Sequence, residues 1–278
     1  MSGNTLIKTE HAGVVFFQFA QLAAFPELSH QVFSRKGGFS QPPFNELNVA
    51  FSVGDRPGIV RDNRRQVAKA GDYRYMVYAH QVHGTEILVY TGSLPGAARG
   101  DQPDRGDALI TDVPGLALVV QVADCQAILL YDPVRRVVAN VHSGWRGSIA
   151  NIAGKTVAAM ESEFGCRGRD MAAAIAPSLG PCCAEFIHYR DEIPEAFWKY
   201  KLGGNHFDFW KISRDQLAEA GLPPENIQGG NMCTRCRPDY FYSYRGEARH
   251  TGRFAAVIGL RADGARGPED DRNFNDTC

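Results

Sequence analysis

The sequence predicts an α/β or α+β domain on two observations. Several apolar runs rich in β-branched residues read as buried strands, and one strand passes through a glycine-rich turn into a segment with helical spacing. Three runs carry the first observation: 86–90 (EILVY), 116–132 (LALVVQVADCQAILLYD) and 136–142 (RVVANVH). The middle run is too long for one strand, since strands average about 5–6 residues. Its smaller and polar residues Ala123, Asp124 and Cys125 mark a sharp turn or bulge.

After His142, the residues SGWRGS supply the flexible turn. Ile149, Ile152, Ala153, Val157, Met160 and Phe164 then recur at the spacing of a helix with one buried face. Further on, 171–177 (MAAAIAP) reads as a strand, 188–201 and 211–220 as helices, and 253–260 (RFAAVIGL) as a final strand. The polar segments 1–12 and 262–278 are expected to be disordered tails around one domain spanning 13–261.

The chain has 278 residues and is 44% hydrophobic, enough to bury the core of one large domain. With 30 basic and 31 acidic side chains its net charge is −1, so no global field draws it to nucleic acid or an anionic membrane. Neither a leader-like apolar stretch nor a membrane span is evident, and the cytoplasm is the expected compartment. Seven cysteines in a chain of this size do not make the framework of a small secreted domain, and reduced thiols or metal ligands fit better. A small-molecule substrate is expected, with no obligate protein partner.

Three residues stand at the ends of elements: His83 in HQVHGTE, Cys125 at the interruption, and His142 where a strand meets the glycine-rich turn. Alone, each reads as readily as a packed core residue, because spacing does not show that they converge. Two imidazoles and a thiolate form a three-ligand set that leaves a fourth tetrahedral position open, the arrangement of a catalytic zinc. Asp124 is a candidate proton shuttle or an orienting carboxylate. Ser143 and Arg146, at the helix start, are candidate anion contacts, with a solvated arginine as the alternative. Gln81, in the polar turn before His83, and Arg35, in the basic turn RKGG, are candidate substrate contacts. Cys233 and Cys236 have half-zinc-site or redox spacing, and Cys182 and Cys183 are adjacent. All four are read first as packing residues.

Taken in order, HQVHG (80–84), DALITD (107–112), ADC (123–125), NVHSGWRG (140–147), IAPSLGPCC (175–183) and FYSYR (241–245) resemble the YfiH family. That family is described as a multicopper polyphenol oxidase or laccase domain, and also as purine nucleoside phosphorylases with adenosine deaminase activity. The resemblance spans roughly residues 30–260 and includes looser agreement over 35–55, where Asn48 in ELNVAFSVGD joins the expected substrate contacts. It implies a layered α/β/β/α sandwich with mixed sheets, and metal binding by His83, Cys125 and His142, with zinc the usual ion and copper the alternative. It also implies phosphorolysis of adenosine, inosine and methylthioadenosine, with deamination as a second branch. The chain departs from the family pattern at Ser143, Gln126 and Ala184.

Two other classes compete. A laccase-type oxidase wants many histidines, but the chain has eight and no His-x-His pair. A metal-free Cys125 activated by His142 would instead make an amidase, for example one editing a cell-wall precursor.

Overall fold

The computed structural model describes residues 6–92 and 103–262. The chain begins with β1 (Leu6–His11), β2 (Val14–Phe19), a short α1 (Ala20–Ala23) and β3 (Leu28–Phe33), followed by α2 (Pro57–Gly71) and β4 (Tyr75–Tyr78). It continues through β5 (Ile87–Tyr90), β6 (Ala108–Thr111), β7 (Leu116–Val122), β8 (Gln126–Asp132) and β9 (Val137–Ser143). The remainder supplies α3 (Trp145–Ile149), α4 (Ile152–Phe164), β10 (Ala172–Ile175), α5 (Tyr189–Glu192), α6 (Phe209–Glu219), β11 (Ile227–Gly229) and β12 (Phe254–Leu260).

Among the described residues the strands form two six-stranded mixed sheets, ordered β1-β2-β3-β12-β7-β4 and β11-β10-β8-β9-β6-β5. The period-2 alternation of strands decides how they stack. In β7, Leu118, Val120 and Val122 join a shared core with Leu129 and Tyr131 of β8 and Val138 of β9, so the two sheets meet face to face. The alternate residues Ala117 and Val119 turn outward, into a cluster with Val67 and Ala70 of α2. On the opposite face of the second sheet, Ile128 and Leu130 pack with Ile152, Val157 and Met160 of α4 and Leu217 of α6. The layers are therefore α/β/β/α, as the resemblance implied, and each sheet is covered on both sides. Asn140 crosses the sandwich: its amide donates to the carbonyls of Leu118 and Ala256, both at 2.9 Å.

The interruption at Ala123–Cys125 lies where the chain leaves the first sheet for the second, since β7 and β8 belong to different sheets. The turn expected there is tight enough to hold Asp124 at φ 89°, a conformation rarely adopted by residues other than glycine.

Two expectations need correction. Residues 6–11 belong to no tail but form β1, paired with β2 over six residue pairs. This edge strand, LIKTEH, is mostly exposed and held by its backbone ladder, so it lacks the apolar pattern that betrays buried strands. Residues 1–5 and 263–278 lie outside the described residues. The helix expected over 188–201 is only α5 followed by a 3-10 stretch at Glu195–Tyr200. Pro194, lacking an N–H and biasing Ile193 to an extended conformation, divides them.

Candidate metal centre and cavity

Cys125 opens the segment leading into β8, and His142 stands near the end of the neighbouring β9, where it is paired with Ala127. His83 arrives from the turn between β4 and β5, at φ 60°. Their candidate ligand atoms all lie within 4.8 Å of one another. The Cys125 Sγ is 3.9 Å from the His83 Nε2, and the two imidazoles meet edge to face with centroids 4.8 Å apart. Gly144 leaves room for this convergence: a Cβ there would lie 3.0 Å from the His83 Cδ2 and 3.2 Å from the Cys125 Sγ.

One buried carboxylate organises two of the three residues. Asp107, immediately before β6, accepts from the His142 Nδ1 at 2.8 Å with its Oδ1. The same oxygen accepts the His83 N–H at 2.9 Å, while Oδ2 accepts the N–H groups of Gly84 at 2.7 Å and Val82 at 3.2 Å. The Asp107 carbonyl takes the His142 backbone N–H at 2.6 Å. Asp107 thus fixes the His142 ring so that its other nitrogen faces the cysteine, and shapes the turn that carries His83. This is the carboxylate–histidine support that metal-binding imidazoles require.

Electrostatics favour the Cys125 thiolate beside a protonated His142, whose Nε2 proton a bound cation would displace. Burial would raise the Cys125 thiol, but the adjacent His142 and His83 imidazoles reverse the effect and hold it below its ordinary value. Burial would lower His142, but the Cys125 sulfur and the Asp107 carboxylate raise it. Burial likewise opposes ionisation of Asp107, and its hydrogen bonds from His142 and Gly84 overcome that and lower its pKa. The cluster therefore holds more negative than positive charge when its thiolate and carboxylate are ionised, which suits a cation. Ligands of a tetrahedral zinc with bonds of about 2.0–2.3 Å sit roughly 3.3–3.8 Å apart, so the donor set fits after a contraction of about 1 Å.

The cluster lines a cavity of about 1760 Å³. Its walls carry Arg64, Arg105, Arg146, Arg245, Arg249 and Arg253, and Asp124 as their sole carboxylate among the described residues. No ion pair joins any of these arginines to a carboxylate among the described residues. Arg146 is exposed and stacked on the Trp145 ring, with its guanidinium carbon 4.3 Å from the centroid. Phe51 and Tyr244 are exposed rings lining the same cavity, with the Arg64 guanidinium 4.3 Å from the Phe51 centroid and that of Arg253 5.5 Å from the Tyr244 centroid.

The remaining expected residues divide. Gln81 and Ser143 line the cavity, but their polar groups are engaged. The Gln81 amide brackets Gln121, donating to its carbonyl and accepting its N–H, both at 2.8 Å, and the Ser143 and Ser148 hydroxyls pair at 2.9 Å. Asp124 is also occupied: it accepts from the Thr234 hydroxyl at 2.6 Å and the Arg245 N–H at 2.7 Å. Its carboxylate anchors these two loops, and the orienting carboxylate of the centre is Asp107.

Arg35 and Asn48 lie outside the cavity lining. Arg35 is buried and pairs with Glu247 at 2.9 Å beneath the Tyr242 ring. The fully buried Asn48 accepts N–H groups from Ala50 at 3.1 Å and Arg253 at 2.9 Å, positioning two cavity residues from behind. Sequence reasoning did not single out Asp107 or the arginines beyond Arg146. Asp107 and Arg245 do fall inside motifs already noted, DALITD and FYSYR, whereas Arg64, Arg105 and Arg249 carried no sequence signal. The four other noted cysteines, read as packing residues, are brought together in a cluster with Cys182 and Cys236 exposed.

Fold and site define an α/β two-sheet protein with a His–Cys–His cluster at one end of the sandwich, within an arginine-lined cavity. The chain belongs to the YfiH family: residues 29–261 match the family model described as multi-copper polyphenol oxidoreductase laccase. The purine nucleoside phosphorylase of Bacteroides thetaiotaomicron is 30% identical over 257 residues, covering 86% of this chain and 94% of that protein. The purine nucleoside phosphorylase YfiH of Escherichia coli K12 is 33% identical over 238 residues, covering 82% and 91%. Among solved structures, the hypothetical protein YfiH of Bacillus licheniformis matches with a TM-score of 0.82 at 27% identity, covering 93% of this chain and all of that one. YlmD of Geobacillus stearothermophilus matches with a TM-score of 0.81 at 29% identity, covering 94% of this chain and all of that one. The family resemblance in the motifs is borne out. Among the described residues, no helix is long and apolar enough to cross a membrane.

Proposed function

We propose that this protein is a metal-dependent purine nucleoside phosphorylase acting on adenosine, inosine and methylthioadenosine, with adenosine deamination as a second reaction in the same cavity. The observation that carries the reading is the placement of a three-ligand cluster in one cavity with arginines that form no ion pair among the described residues. The curated relatives named purine nucleoside phosphorylase support it.

In phosphorolysis a phosphate oxygen attacks the ribose C1′ while the bond from C1′ to the purine nitrogen breaks. The electron pair leaves with the base, which takes a proton, and the products are ribose 1-phosphate and free purine. The cavity arginines neutralise and orient the phosphate, with Arg146 as the principal contact. Phe51 and Tyr244 offer faces on which a purine can stack. His83, Cys125 and His142 would hold zinc, or copper in its place, which would supply Lewis-acid polarisation. Asp107 keeps the His142 proton on Nδ1, leaving Nε2 as the donor.

A second reading has its own observation. Cys125, His142 and Asp107 stand in the order thiol, imidazole and carboxylate of a cysteine hydrolase, which would need the thiolate free of metal. A laccase reading finds less support, because among the described residues the other cluster of candidate ligands consists of cysteines alone.

The test incubates the protein, loaded with zinc or with copper, with inosine and adenosine, with and without phosphate, and follows free base, ribose 1-phosphate and ammonia. Phosphate-dependent base release with ribose 1-phosphate is expected. Absence of base release with either metal would overturn the reading, and an amidase would be abolished by alkylation of Cys125 yet indifferent to chelators.

A further inference from the structure

A second set of metal-ligand side chains lies apart from the triad. Cys182 and Cys183 occupy the turn after Gly180, and Cys233 and Cys236 occupy another turn 50 residues later in the chain. Their sulfur atoms all lie within 4.8 Å of one another. The Cys236 Sγ is 3.7 Å from that of Cys182 and 3.6 Å from that of Cys183. Sulfurs bound to one tetrahedral zinc at about 2.3 Å are separated by roughly 3.8 Å, so both gaps already match an edge of that tetrahedron.

The backbone is arranged for the same end. Ser178 and Cys233 form a parallel bridge that lays the two turns side by side, with the Ser178 N–H on the Met232 carbonyl at 3.2 Å and the Thr234 N–H on the Ser178 carbonyl at 3.0 Å. Gly180 cannot carry a side chain without disturbing the arrangement, since its Cβ would come within 2.9 Å of the Cys233 Cβ. Four closely spaced thiols with two of them exposed do not make an apolar core, and as thiolates they would repel one another unless a cation balanced them.

We propose that Cys182, Cys183, Cys233 and Cys236 form a second metal site, a four-thiolate structural zinc site independent of the His83–Cys125–His142 cluster. With all four positions filled by protein, this ion has no open place for substrate. It acts as a staple. The turns it joins carry cavity-wall contacts: the Leu179 N–H donates to the Asp124 carbonyl at 2.8 Å, Thr234 holds the Asp124 carboxylate, and Arg245 reaches the Cys183 carbonyl at 3.3 Å. Binding there fastens the wall that presents Arg245 without taking part in the reaction.

The test counts zinc in the full-length protein, prepared anaerobically in zinc and freed of loosely held ion. Two equivalents per chain are expected for the parent. One equivalent is expected for a C125A/H142A variant, with an X-ray absorption first shell of sulfur alone, and one for C182S/C236S, whose remaining shell contains nitrogen. As a check that does not depend on any variant folding, cobalt loading of the parent should give intense thiolate-to-metal absorption that saturates only after the second equivalent. A parent holding one equivalent in a nitrogen-containing shell, a folded C125A/H142A protein without metal, or a disulfide among the four cysteines in the anaerobic protein would each overturn the assignment.

Discussion

The Asp107 carboxylate binds the His142 ring at 2.8 Å and the His83 backbone N–H at 2.9 Å through the same oxygen. One side chain thereby positions two residues that are 59 positions apart. Replacing Asp107 with Asn leaves the size nearly unchanged but removes the charge and turns one of the two accepting oxygens into an NH2 that faces N–H groups. Metal affinity at the triad should fall by about 10–100-fold, the usual cost of losing such a supporting carboxylate. Competition with a chromophoric chelator measures it, and an unchanged affinity would mean that Asp107 serves only the fold.

Cys125→Ala should remove the triad metal and phosphorolysis together while the thermal transition persists, since the residue is only partly buried at the cavity wall. Full turnover by the variant, measured with inosine and phosphate, would detach the reaction from the cluster.

Arg146→Ala should raise the KM for phosphate by roughly 10–100-fold, the worth of a lost charge-assisted contact of about 1.5–3 kcal/mol, and leave the KM for nucleoside nearly unchanged. A proportional rise in both would assign Arg146 to general shaping of the cavity.

Gly144→Ala would place a Cβ 3.0 Å from His83 and 3.2 Å from Cys125. Its φ of −72° is open to alanine, so backbone strain does not enter. The expected result is weakened metal binding with little change in the melting temperature, read by zinc titration alongside calorimetry. A variant that binds zinc like the parent would show that the cluster has slack on this side.

His30 supplies a pH-dependent test away from the site. Burial, with a smaller contribution from the Arg261 charge, lowers its pKa from 6.5 to about 3, and its Nε2 accepts the Phe19 N–H at 2.8 Å, which requires the neutral ring. The unfolded chain therefore takes up this proton more readily than the folded one. The stabilisation is fully present above pH 6.5 and is lost as pH falls toward 3, at up to about 1.4 kcal/mol per pH unit. Denaturant unfolding across that window should show the parent losing stability more steeply than a His30→Gln variant. Identical pH dependence would mean that His30 is not buried as the neutral base.

The sequence disclosed the second sheet better than the first. β8 and β9 are nearly continuous apolar runs because strands covered on both faces need apolar residues at most positions, and the break at Ala123–Cys125 stood out against that background; β5, expected as a buried strand, is an edge strand left partly exposed. β1 carried no such pattern, and α2, with its polar run RDNRRQ, buries Asn63 along with Val60 and Val67. Asn63 donates to the carbonyls of Glu46 and Asn48, a function that no hydrophobic periodicity records. At the site, the three candidate ligands were visible as polar residues at strand ends, but their convergence depends on the pairing of β8 with β9 and on the connection that crosses from β4 to β5. Asp107 was hidden because its role lies in which N–H groups it faces, and Arg35 misled because a basic residue beside two glycines looks exposed although it is sealed under Tyr242.

His83 sits in the connection that crosses from β4 of the first sheet to β5 of the second, and Cys125 in the turn that crosses from β7 to β8, whereas His142 lies on β9 of the second sheet. Two of the three donors thus ride on crossings between the sheets. Until the sheets dock, those crossings have no fixed path, and tight capture of the ion becomes a report that the sandwich has closed in register.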